Sequence, residues 1–111
     1  MQANEYRLLA MRTAPEGMTV SEMLTNAALG LTGESGEFAD LIKKYLYQGH
    51  ELDRIHLAKE LGDIMWYIAM AATAIEIDME SIMRLNIHKL MDRYPDGFDV
   101  ERSTHREEGD I

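Results

Sequence analysis

Two pairs of carboxylates stand out by type and spacing. Glu34-Ser35-Gly36-Glu37 sets two acids at i and i+3, and Glu60-Leu61-Gly62-Asp63 repeats the arrangement. Residues three apart share a helix face, about 60° apart around the axis. If the two helices form an antiparallel hairpin, the pairs can face each other at the edge of the core. Four acids meeting there repel unless cations or protons neutralise them. Oxygen donors without His or Cys suit Mg²⁺ or Mn²⁺. Mg²⁺ also keeps waters and accepts phosphate oxygens, which is the chemistry of polyphosphate hydrolysis. A di-iron bundle would need Glu-x-x-His motifs, and the chain has none. One Glu-x-x-Glu is ordinary solvated helix surface, and structural ion-pair networks also cluster acids. Two such pairs on successive helices, each with a glycine between its carboxylates, are harder to read as surface alone.

The elements that must position these acids are helical. Residues 4–13 carry Tyr6, Leu8, Leu9 and Ala10 and suit a short first helix, broken by Pro15-Glu16-Gly17. Thr19-Val20-Ser21-Glu22 is a capping box that opens a second helix running to Tyr47. Gly30, Gly33 and Gly36 interrupt it, each at about 1 kcal/mol relative to Ala, which implies a reason such as close approach of a helix or ligand. Gln48-Gly49-His50 is a turn, and Asp53 caps a third helix with an apolar stripe from Ile55 to Ile75. Asp78 caps a fourth that runs to about Arg93 and is ended by Pro95-Asp96-Gly97. The expectation is an all-α, four- to five-helix bundle-like domain over 1–99, assembled into an oligomer. Residues 100–111 form a charged, loosely held tail.

Composition narrows the partners. The 111 residues carry 20 acidic and 11 basic side chains, a net charge of −9. Such a surface repels a phosphate polymer, so no nucleic-acid partner is expected, and a small polyphosphate would need metal ions to approach. With no cysteine, disulfides and thiolate metal sites are excluded. The longest apolar run, Ile64 to Ile75, is about half of the roughly 20 residues a membrane span needs. The N-terminus lacks a signal-peptide pattern, so no membrane and a cytoplasmic location are the expectation.

The residues also form longer words. Asn26-Ala27-Ala28-Leu29-Gly30-Leu31-Thr32-Gly33-Glu34-Ser35-Gly36-Glu37 is followed after 22 residues by Glu-x-x-Asp, within Lys59-Glu60-Leu61-Gly62-Asp63-Ile64-Met65-Trp66-Tyr67. Asn86-Ile87-His88-Lys89-Leu90-Met91-Asp92-Arg93-Tyr94-Pro95 closes the series. Together they resemble the motifs of MazG-like enzymes in the all-α nucleoside triphosphate pyrophosphohydrolase superfamily, from Glu5-Tyr6 to about Arg106. Some relatives double the first acid, whereas Gly33 precedes Glu34 here.

The resemblance implies Mg²⁺-dependent hydrolysis of a (d)NTP to (d)NMP and pyrophosphate, with a role in cleaning the nucleotide pool. It implies Glu34, Glu37, Glu60 and Asp63 as metal ligands, with Mn²⁺ as an alternative to Mg²⁺. The metals would hold the triphosphate while water attacks the α-phosphorus, oriented or deprotonated by Glu34 or Glu37. It implies a homodimer or homotetramer. Narrower readings are a dUTPase, a dCTPase or a phosphoribosyl-ATP pyrophosphohydrolase; the reading from another class is a non-catalytic helical oligomerisation module.

Supporting positions have two readings each. Lys44 touches phosphate or opposes a helix C-terminus, and Lys59 beside Glu60 is equally open. Asn26, two turns before Glu34, reads a base or sugar edge or is ordinary surface. Trp66 stacks on a base or packs in the core. Asn86, Lys89 and Arg93 share a face and, with Tyr94, resemble the family's substrate-side motif; without the resemblance they are an exposed polar stripe.

Overall fold

The computed structural model describes residues 1–111 as five helices and no strands: α1 (Ala3–Met11), α2 (Val20–Tyr47), α3 (Arg54–Ala74), α4 (Met79–Arg93) and α5 (Val100–Thr104). Four of them start on an oxygen-bearing side chain that satisfies a free backbone N–H. The Thr19 hydroxyl accepts from Glu22 N at 3.1 Å while the Glu22 carboxylate accepts from Thr19 N at 3.3 Å. Asp53 accepts from His56 N at 3.0 Å, Asp78 from Ser81 N at 2.8 Å and Asp99 from Glu101 N at 2.8 Å.

The α2–α3 pair is the spine, and it is antiparallel. As α2 advances through Asn26, Gly30 and Glu34, its partners on α3 recede through Met70, Tyr67 and Asp63. At Gly30 the approach is so close that a Cβ there would sit 2.2 Å from the Tyr67 ring, so only glycine fits beneath that ring. Gly33 and Gly36 meet no such neighbour. The reason expected for three glycines applies, among protein contacts, to one.

Helix α1 lies across α3 on a small-residue seat. Ala10, Ala69, Ala72 and Met79 are buried together, with Tyr6, Trp66 and Ile82 packed against them. Polar bonds fix the crossing. The Trp66 indole donates to Ala10 O at 3.1 Å and to Thr13 Oγ1 at 2.8 Å. Arg7 reaches Thr73 Oγ1 at 3.2 Å. Asn4 and Glu80 exchange two bonds of 3.1 Å that tie α1 to the start of α4.

Beyond that junction α4 leaves much apolar surface bare: Leu85 is 63% exposed and Met91 58%. Only 8 of 111 residues are buried, and the radius of gyration is 17.1 Å against about 13 Å for a compact chain of this size. One chain therefore does not close its own core. No helix is long and apolar enough to cross a membrane. Within residues 100–111, α5 forms and Asp110 pairs with Arg93.

Candidate metal centre

The antiparallel register brings Glu34 on α2 opposite Glu60 and Asp63 on α3. One carboxylate oxygen from each lies within 4.8 Å of the others. Glu34 is half-buried, Glu60 buried and Asp63 exposed, so the group sits at the rim of the seam with one side open. Glu60 is the inner member. Its Oε1 lies 3.4 Å from His56 Nε2, and its Oε2 is buried without a partner. A buried carboxylate oxygen without a donor is costly unless a cation or proton meets it.

The charge balance agrees. A hydrogen bond with Glu60 holds the Glu34 carboxyl above its ordinary range, with burial and the charges of Asp63, Glu60 and Glu37 acting in the same direction. In the absence of a cation, a proton shared between acids relieves the repulsion. Three converging carboxylates, one of them with an orphaned buried oxygen, fit a hard divalent cation. Tyr6 closes the α1 side: its hydroxyl donates to Gly62 O at 3.5 Å, and burial, then the Asp63 charge, raises its pKa.

Glu37 is exposed and lies outside the group of three, although its charge is felt at Glu34. Trp66 lines a cavity of about 310 Å³ together with Glu34, Asp63 and Tyr67, while its N–H is committed to α1. Asn26 donates to Met70 Sδ at 3.2 Å. Lys44 pairs with Asp40 at 2.9 Å, beside a second cavity of about 260 Å³ that it shares with His56 and Leu57. Lys59 is exposed.

None of the α4 candidates lines the cavity beside the acids. Asn86 and Lys89 are exposed, Arg93 is paired with Asp110, and Tyr94 packs on Phe98 with ring centroids 5.4 Å apart. Tyr67 and His56 escaped the sequence reading. The signal was present: His56, Glu60, Asp63 and Tyr67 follow at spacings of four, three and four, which is one face of one helix.

Residues 23–98 match the MazG nucleotide pyrophosphohydrolase domain family, a span that contains all four carboxylates. The chain is also similar to the Gene 37 protein of Mycobacterium phage L5, at 36% identity over 76 residues, which is 65% of this chain and 67% of that protein. No solved structure gives a significant match.

Proposed function

Because this chain belongs to the MazG nucleotide pyrophosphohydrolase family, we propose that it hydrolyses nucleoside triphosphates to the monophosphate and pyrophosphate, using Mg²⁺ or Mn²⁺ held by Glu34, Glu37, Glu60 and Asp63. The reading is carried by the convergence of Glu34, Glu60 and Asp63, the innermost of which, Glu60, has a buried Oε2 without a partner. Bound divalent cations supply the positive charge that holds the triphosphate and stabilises the departing pyrophosphate.

The chain's own groups do the rest. His56 lies against one oxygen of Glu60 and leaves the other for the site. Glu34 or Glu37 takes a proton from the water that attacks the α-phosphorus. Glu37, one turn away on the exposed side, completes the ligand set. Breaking the α–β bridge then releases pyrophosphate. The α-phosphorus carries the nucleoside directly, so the cavity walled by Trp66 and Tyr67 beside the acids suits the nucleoside end.

The uncovered apolar face of α4 and the seven-residue apolar core favour a homodimer or homotetramer. Such an assembly would also bring the polar face of α4, with Asn86, Lys89, Arg93 and Tyr94, to the substrate. The test is direct: purified protein, Mg²⁺ and a panel of canonical and modified nucleotides, with pyrophosphate and phosphate detected separately. Pyrophosphate release that stops with EDTA is the expected result. Release of phosphate alone, or no metal-dependent hydrolysis, refutes the assignment.

A further inference from the structure

The cavity beside the acids has an aromatic corner, and three helices build it. Trp66 and Tyr67 meet edge to face, with ring centroids 5.0 Å apart and planes at 83°. Each ring is fixed from outside α3. Tyr67 takes the space that a Cβ on Gly30 of α2 would occupy. Trp66 is held from the end of α1, which lies outside the residues that match the family. Its indole N–H is shared between Ala10 O at 3.1 Å and Thr13 Oγ1 at 2.8 Å. Thr13 spends its own hydroxyl hydrogen on Ala10 O at 2.7 Å, so toward the indole its oxygen acts only as an acceptor.

The outer torsion of a tryptophan side chain has broad wells, so its rotamer alone does not set the ring angle. The alanines of the α1–α3 seat are small and leave that angle loosely defined. The bonded N–H end therefore decides how the indole faces the cavity. A nucleobase offers a flat π-face to such a corner, and aromatic packing depends on the relative orientation of the rings. We infer that Thr13 is a positioning residue for the nucleoside: through the Trp66 N–H it sets the indole at the angle against which the base packs. That the ligand is a nucleotide rests on the pyrophosphohydrolase reading above. A hydroxyl that only satisfied a polar hydrogen would stabilise the fold and leave recognition of the base untouched.

The probes are the four common ribonucleoside 5′-monophosphates and ribose 5-phosphate, which lacks a base, titrated calorimetrically against the full chain in Mg²⁺. Wild type should bind the best monophosphate more tightly than ribose 5-phosphate. Thr13→Val keeps the shape and removes the acceptor. It should weaken that monophosphate about fivefold, the scale of one neutral hydrogen bond, and leave ribose 5-phosphate unchanged. Thr13→Ser should restore the affinity, and Thr13→Ala should repeat the loss if the valine variant folds poorly. In NTP hydrolysis the change should fall on KM more than on kcat. Equal monophosphate affinity in wild type, Thr13→Val and Thr13→Ala overturns the inference. So does an equal loss for ribose 5-phosphate, or wild-type binding of monophosphates no tighter than of ribose 5-phosphate. If wild type releases no pyrophosphate from any NTP, the enzyme reading fails while the titrations still decide the role of Thr13.

Discussion

Glu34 and Glu60 meet carboxyl to carboxyl across the α2–α3 seam, and this contact holds Glu34 above its ordinary value of 4.5. The folded chain thus binds that proton more tightly than the unfolded chain. The stability it contributes is complete below about pH 4.5 and is lost as pH rises through the raised value. Melting temperature measured in EDTA should therefore decline from pH 5 toward neutrality more steeply in wild type than in Glu34→Gln. With Mg²⁺ present the decline should shrink, because binding to the native state adds stability as the acids ionise. Parallel curves for the two proteins would show that the contact is not felt in stability.

Removing one charge from the cluster separates catalysis from folding. Glu60→Gln and Asp63→Asn should each lower pyrophosphate release by at least about 100-fold, the scale of one preorganised catalytic charge. Their melting temperatures in EDTA should hold or rise, since like charges are being separated. Loss of a buried structural ion pair predicts the reverse, a cost of about 3–5 kcal/mol. Glu37→Gln should cut turnover with little change in stability without metal, as befits an acid outside the group of three.

The Gly30–Tyr67 contact makes a packing prediction. In an open helix Gly→Ala gains about 1 kcal/mol. Here the added methyl meets the Tyr67 ring, so Gly30→Ala should instead cost about 1–3 kcal/mol in urea unfolding. In the Tyr67→Ala background the same change should be neutral or stabilising, a coupling read by a double-mutant cycle. Additive effects would mean that the ring moves aside freely.

Light scattering at micromolar concentration should give a mass at least twice the 12.7 kDa of one chain. Ile87→Glu together with Met91→Glu, one turn apart on the bare face of α4, should shift the mass downward. A wild-type protein that elutes as a monomer would leave that face unexplained.

Helix boundaries were legible because the caps are local. Thr19 with Glu22, Asp53 and Asp78 carry their own start signals within four residues of chain. The carboxylate pairs were legible for the same reason, since i and i+3 share a face in any helix. What lay beyond the sequence was interhelical register. It decides that Glu34 faces Glu60 and Asp63 while Glu37 stays outside, and that Gly30, rather than Gly33 or Gly36, receives a ring. Asn26 and Lys44 were ambiguous because their partners, Met70 forty-four positions away and Asp40 one turn away, compete with any ligand. The return of Asp110 to Arg93 is a long-range charge match with no periodic signal.

Trp66 is the chain's single tryptophan, its indole N–H fixed on α1, its ring 5.0 Å from that of Tyr67 and its side facing the cavity of Glu34 and Asp63. The protein thus contains a native optical probe, selectively excitable over its five tyrosines, whose emission originates beside the acid cluster. A cation at the acids, a nucleoside in that cavity or detachment of α1 would each change the surroundings of one known fluorophore. Each can be followed by stopped-flow without attaching a dye.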